Sequence, residues 1–327
     1  VPERELENLL KSTGLVGLEK LRPGALLMGP GEDAGAVRLS ERLAYVAHTD
    51  FFTPIVDDPY LYGRIAAFNA ASDLFAKGCT ENLGFLAILG APLELPDEVL
   101  QKILTGIRDA CVEMDASILG GHSIISPWPI AGGSVVGTAE IDQIVKNSTA
   151  RVGDTVLLTK PLGTQPLAAS MRVPRRLRRG LLQVVAEPAL SHAESLAVKV
   201  MNTPNKLAAQ LMRQIGVDAC TDVTGFGILN HANIMAERSG VRIIIDELPV
   251  IKGALELSRF FGYGLEEGIS SETSGGLLIS VPRDRLEELH RLFEANGVSL
   301  FRIGRVEAGA GAALAPNVRI LEVLGHT

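Results

Sequence analysis

Three cysteines in 327 residues, Cys79, Cys111 and Cys220, are too few and too scattered for a disulfide framework or a Cys-x-x-Cys metal site. Long apolar runs are also missing. The longest, Leu83 to Leu93, is too short to span a bilayer and is interrupted by Gly84 and Gly90. No secretory leader is read, so the Asn147-Ser148-Thr149 sequon is taken as chance and the chain is expected in the reducing cytoplasm. Positive charge is not in excess. The net charge of −7 argues against a general nucleic-acid or anionic-membrane surface. The usual nucleotide signatures are absent as well. There is no G-x-x-x-x-G-K-[ST], no third glycine after Gly29-Pro30-Gly31, and no Gly-x-Ser-x-Gly. The six histidines show no metal-ligand spacing, and His192, His290 and His326 are taken as surface residues.

What is present suits a globular protein: 46% apolar and 21% charged residues, with length for about two domains. The pattern predicts a helix over 3–11, a strand over 36–49 and a helix ending at Gly78. A strand follows over 85–89, then a helix from Pro96 whose core stripe is Leu100, Ile103, Leu104, Ile107 and Cys111. A short strand at 117–119 runs into Gly120-Gly121-His122-Ser123, and another strand spans 130–141. Near Gly153-Asp154 the pattern restarts, which places a domain boundary between 1–153 and 154–327. In the second half, helices are expected at 193–215, 228–237, 252–260 and 283–295, and strands at 155–159, 241–245, 275–281, 301–306 and 318–323. Five arginines in 172–179 read as a solvated helix face, with an anion patch as the other reading. Strands and helices mix without a strict βαβ rhythm, so the class is α+β.

The chemistry-bearing residues are acidic. Asp33, Asp50, Asp73 and Asp222 each sit at the end of an element beside small residues, with no basic partner in the local sequence. Singly, each passes for a helix cap or turn carboxylate. Together they suit Mg²⁺, which takes one or two carboxylates plus substrate phosphates. Asn69 and Asp73 share one helix face, among Ala66, Ala67, Ala70 and Ala71. Gly120 to Ser123 is a phosphate nest or a plain tight turn. Lys160 meets a phosphate, pairs with an aspartate, or lies on the surface. Thr273-Ser274-Gly275-Gly276 leans structural. The residues alone point to a Mg-nucleotide enzyme of a non-P-loop kind.

The motifs HTDFFTPIVDDPYLYGRIAAFNAASDLFAKG, GGHSI, LTKPLGTQ, TDVTGFGILNHA and ETSGGLLI, in this order, resemble the selenophosphate synthetase (selenide, water dikinase) family over nearly the whole chain. The Lys160–Gln165 and Pro127-Trp128 details look closer to its eukaryotic branch. The resemblance implies the two-domain α+β fold of aminoimidazole ribonucleotide synthetase, dimerised through the N-terminal sheets into a barrel. It implies synthesis of selenophosphate, AMP and phosphate from ATP, selenide and water, with Mg²⁺ as cofactor and a selenium-delivery enzyme as a further partner. By motif match, Asp33, Asp73 and Asp222 are metal ligands. Gly31, Glu32, Asp33, Asp50 and Asp73 line the nucleotide site, and Gly120, Gly121, His122 and Ser123 contact ATP from the other subunit. The family's reactive Cys or selenocysteine and catalytic Lys are expected upstream of Val1, so the chain is expected to be a truncated core with impaired selenide chemistry. The alternative is a non-catalytic nucleotide-binding paralogue. Thiamine-phosphate kinase is a third candidate, against which LTKPLGTQ and ETSGGLLI speak.

Overall fold

The structure is a computed structural model that describes residues 12–13, 24–174 and 176–325. The helix expected over 3–11, Val1 and His326 lie outside the described residues. The chain runs β1 (Leu26–Met28), β2 (Gly35–Arg38), β3 (Leu43–Phe52), α1 (Pro59–Ala76), β4 (Glu81–Ala91), α2 (Asp97–Glu113), β5 (Ala116–Ile125) and β6 (Ile130–Glu140). These strands form one sheet in the order β1-β2-β3-β6-β4-β5, antiparallel except for the β4–β5 pair.

The second half runs β7 (Thr155–Leu158), α3 (Thr164–Met171), α4 (Arg178–Leu181), α5 (Glu187–Met201), α6 (Lys206–Ile215), β8 (Ala219–Asp222) and α7 (Gly227–Ser239). It continues with β9 (Arg242–Ile251), α8 (Ala254–Phe261), β10 (Leu277–Val281), α9 (Leu286–Ala295), β11 (Phe301–Glu307) and β12 (Gly311–Val323). Its sheet has the order β12-β9-β11-β7-β10-β8, antiparallel except for β9–β12. Two mixed sheets with helices between and around them make an α+β fold. Among the described residues no helix is long and apolar enough to cross a membrane.

Helix α1 lies at the seam between the sheets. Asp58 caps its start, accepting from the Tyr60 and Leu61 amides at 2.8 and 3.1 Å, and Pro59 takes the first helical position. Gly78 ends it with φ +75°. Ile65, Ala66, Ala67, Phe68, Ala70, Ala71, Leu74 and Phe75 are all buried, so the helix is apolar nearly all round. One core cluster joins these residues to Leu157, Leu277, Ile279 and Val281 of the second sheet. Val156, Leu158 and Leu278 face the opposite way, into a second cluster with Ile243, Ile245 and Ile303. Residues alternate between clusters along each strand because strand side chains alternate faces, and a sheet covered on both sides buries them all.

Helices α1 and α2 cross with backbone against backbone. A Cβ on Gly63 would stand 2.1 Å from the Ile103 carbonyl oxygen, and one on Gly106 would stand 2.1 Å from that of Tyr60.

Several expectations are corrected. The strand over 36–49 is two, β2 and β3, joined at a turn where Ser40 Oγ accepts from the Leu43 amide at 3.1 Å. Gly120 to Ser123 is no turn. It lies within β5, paired to β4, and Gly120 takes up a register shift at φ +133°. Leu104 is 44% exposed and leaves the α2 stripe, whose place Gly106 and Ala110 take. Among the described residues of the arginine segment only Arg178–Leu181 is helical, and 172–174 and 176–177 are not part of a helix. The helices expected over 193–215 are α5 and α6, with α5 starting earlier, at Glu187.

Gly106→Ala is expected to lower the unfolding free energy by about 1–3 kcal/mol, the usual cost of overpacking a close contact. Urea denaturation checks this, and an unchanged midpoint would contradict the backbone contact.

Candidate functional site

Asp33 lies just before β2, Asp73 in the last turn of α1, and Asp222 at the end of β8. The fold brings one ligand oxygen from each within 4.8 Å of the others. Nothing local favours this. An acid in the last turn of a helix opposes the helix dipole, so Asp73 is out of place as a mere solvated residue. Asp222 is buried, and its Oδ2 has no hydrogen-bond partner. A buried carboxylate oxygen without a partner is costly unless a proton or a cation serves it.

The surroundings hold these groups in place. Lys77 follows α1 and is fully buried. Its ammonium lies 2.7 Å from Asp33 and 3.2 Å from Glu32, and donates to the Cys220 carbonyl at 3.0 Å. Thr221 Oγ1 donates to Asp33 Oδ1 at 2.8 Å. His48 Nε2 is 3.1 Å from Asp73, whose side chain is 15% exposed at the mouth of the cluster. Asn69 donates to Asp50 and accepts from the Ser274 amide at 2.7 Å, so one carboxamide joins both halves of the chain. His231 Nε2 accepts from the Thr224 amide at 3.1 Å, which fixes the loop after Asp222 with a neutral imidazole.

Burial pushes the Asp222 carboxyl up to about 7, and the charge of Asp33 adds to it. Asp73 is also raised, by burial first and then by Asp222, Asp33 and Asp50. Burial raises Asp50 against the pull of His48, and lowers His48 against the pull of Asp50. Burial works against the charge of Lys77, but Asp33 and Glu32 outweigh it and its pKa is raised. An all-carboxylate donor set in which Asp222 Oδ2 has neither a hydrogen bond nor an ion pair fits a hard divalent cation such as Mg²⁺, which takes oxygen ligands.

The structure thus brings together Asp33, Asp73 and Asp222, with Asp50 held beside them through Asn69. Gly31 adopts φ +100°, and a Cβ there would run into the Arg238 guanidinium. Glu32 faces inward, accepting from the Asn147 amide and Ser148 Oγ at 2.9 Å each as well as from Lys77. It positions the loop rather than lining an open cleft. Gly120, Gly121, His122 and Ser123 are not brought to the cluster within one chain. Their strand lies three strand spacings, about 14 Å, from β3 and is exposed.

Sequence reasoning missed Lys77, His48, Asn147 and His231. The expectation that the carboxylates lack a basic partner fails at Lys77, and the signal was there: Lys77 follows Asp73 by four residues. Asn147 of the sequon is buried, with Nδ2 donating to the Gly31 carbonyl at 3.2 Å, so it is a structural residue. Lys160 is no surface lysine. It is buried, donates to the Thr203 and Ser274 carbonyls at 2.6 and 2.8 Å, and burial lowers its pKa to about 7. Glu272 accepts from the Gly163 and Thr164 amides at 2.8 Å each and caps α3 from a distant loop. That contact is why LTKPLGTQ and ETSGGLLI belong together.

Residues 31–139 match the model of the AIR synthase related protein, N-terminal domain, and residues 151–315 that of the C-terminal domain. The chain is 43% identical to the selenide, water dikinase of Methanococcus maripaludis, over 99% of this chain and 97% of that one. It is 36% identical to human selenide, water dikinase 2, over 91% of this chain and 70% of that one. Among solved structures it is similar in fold to AaThiL complexed with AMPPCP and TMP, at 22% identity and TM-score 0.70, over 95% of this chain and 93% of that one.

A carboxyl raised in the folded state from 3.8 to about 7 stabilises the fold at acid pH and loses that contribution as pH rises from about 4 through 7. A divalent cation favours the charged form and reverses the loss. The rise in melting temperature on adding Mg²⁺ should therefore be larger at pH 8 than at pH 5.5 in the wild type, and this difference should shrink in Asp222→Asn. Equal shifts in both proteins would contradict the assignment.

Proposed function

The chain belongs to the selenide, water dikinase family, and from that membership we propose that it makes selenophosphate from ATP, selenide and water, releasing AMP and phosphate. The observation that carries the reading is the convergence of Asp33, Asp73 and Asp222 from three elements onto one point, with an oxygen of Asp222 unserved. In this proposal a selenide lone pair attacks the γ-phosphorus, and the bond from the γ-phosphorus to the β,γ-bridging oxygen breaks with its electron pair going to ADP. Water then attacks the β-phosphorus of the ADP, the bond from that phosphorus to the α,β-bridging oxygen breaks with its electron pair going to AMP, and the water gives up a proton to solvent as phosphate leaves. Bound Mg²⁺ would offset the charge on the phosphate oxygens through both steps. The chain's own part is to hold the ligand carboxylates: Lys77 and Thr221 fix Asp33, His48 faces Asp73, and Asn69 fixes Asp50.

None of the three cysteines suits a selenium-carrying thiolate. All are buried, and burial pushes the Cys79 and Cys111 thiols up to about 12 and Cys220 higher still. Impaired selenide chemistry in these 327 residues is therefore part of the proposal, as is kinship with the eukaryotic branch suggested by Pro127-Trp128.

We also propose a homodimer through the first sheet. Strand β5 is an edge strand, and an apolar unpaired edge invites strand pairing. Ile118, Leu119, Ile124 and Ile125 on it are all at least half exposed, with Trp128 nearby in sequence. Pairing there would also set Gly120 to Ser123 against the partner, where the proposed contact with ATP would form.

Asp73→Asn is expected to lower selenide-dependent AMP formation by roughly a hundredfold or more, the scale of losing one preorganised electrostatic contact. ³¹P NMR of the products checks it, and wild-type turnover in the variant would sink the reading. ATP binding without any selenide-dependent turnover would favour the non-catalytic paralogue. Light scattering should give about twice 34.8 kDa for the wild type and a monomer for Ile118→Lys/Ile124→Lys. A monomeric wild type would contradict the dimer.

A further inference from the structure

The carboxylate cluster contains a cation of its own. Lys77 carries three donors and has three acceptors around it: Asp33 Oδ2 at 2.7 Å, Glu32 Oε2 at 3.2 Å and the Cys220 carbonyl at 3.0 Å. Its side chain is fully buried, and that of Glu32 is 3% exposed. A buried lysine with three oxygen acceptors, two of them carboxylates, is an ammonium in a closed site. It also stands just past the C-terminal end of α1, where the helix dipole favours positive charge. The contact to Cys220 reaches the strand that ends in Asp222, so the ammonium ties the loop of Asp33 to the element carrying the third carboxylate.

Asp33 therefore has less to offer a metal than its two partners. One of its oxygens faces Lys77, and the other accepts from Thr221 Oγ1 and from Asn147 Nδ2 at 3.5 Å. The other positive groups around the cluster do not duplicate this role. His48 lies against Asp73, Arg238 approaches only Glu32 at 3.9 Å, and the Lys160 ammonium is held by two carbonyls.

We infer that Lys77 is a positioning residue that stands in for a divalent ion, filling with its ammonium a place between Glu32 and Asp33 that would otherwise take a metal. The inference rests on the reading of Asp33, Asp73 and Asp222 as cation ligands. It separates two tasks: Lys77 neutralises and orients the Asp33 side of the cluster permanently, while the Asp222–Asp73 side is left to an exchangeable cation. A long neutral side chain at 77 would leave Glu32 and Asp33 facing each other, and a metal would enter between them.

The test counts Mn²⁺ bound to nucleotide-free protein, by electron paramagnetic resonance of the free ion. Lys77→Met is expected to bind one more Mn²⁺ per protomer than the wild type, while Lys77→Arg, which keeps the charge, binds the wild-type number. Glu32→Gln/Lys77→Met loses one charge of each sign and returns to the wild-type number. This double variant also guards against loss of folding from a net buried charge. A Lys77→Met protein that melts early in EDTA and regains wild-type stability with Mn²⁺ would support the inference. Equal Mn²⁺ counts in wild type and Lys77→Met would overturn it while leaving the cation site standing. A wild type that binds no Mn²⁺ would overturn both.

Discussion

Like charge forced together at a seam is the constraint on which this structure depends. Three carboxylate oxygens lie within 4.8 Å of one another, with Asp50 and Glu32 close by. If both members are ionised, each such pair repels by roughly 3–4 kcal/mol at an effective dielectric of about 20, which adds to burial in raising the Asp73 and Asp222 carboxyls. The fold accepts this at the place where its two halves meet. A chain selected for stability alone would not, which marks the seam as the working part of the molecule.

The seam resists opening because it is tied across by directed bonds as well as by apolar packing. Asn69 reaches Ser274, Asn205 reaches Ser72 at 2.9 Å, and Lys77 reaches the Cys220 carbonyl. Each tie joins a residue of α1, or the one just after it, to the second half of the chain. The alanines of α1 are buried between the sheets and keep the helix thin enough for both to approach it. Helix α1 is thus at once the centre of the first core cluster and the bearer of Asp73, Asn69 and, one residue on, Lys77. The proposed cation site at Asp73 and the relative placement of the two sheets are bound to the same eighteen residues.

Much of this was legible in the sequence. Helix α1, its stop at Gly78 and the shared face of Asn69 and Asp73 follow from spacing. The carboxylates stood out because acids at element ends beside small residues have few structural uses in common. Other features depend on contacts between distant parts of the chain and leave no local trace. Glu272 caps a helix more than a hundred residues earlier, and Asn147 looks like a sequon until its amide is seen against Gly31. Gly120 to Ser123 misled because glycine pairs signal turns, whereas here they ease a register shift inside an edge strand. Lys77 was hidden by its type, since a lysine after a helix is usually a solvated end.

Anomalous diffraction from crystals grown with Mn²⁺ and a non-hydrolysable ATP analogue tests the central claim most directly. The account predicts a manganese peak within coordination distance of Asp73 and Asp222, with Asp33 supplying at most one oxygen and the triphosphate meeting the same ion. Manganese bound only elsewhere, with Asp222 Oδ2 still unserved, would contradict it.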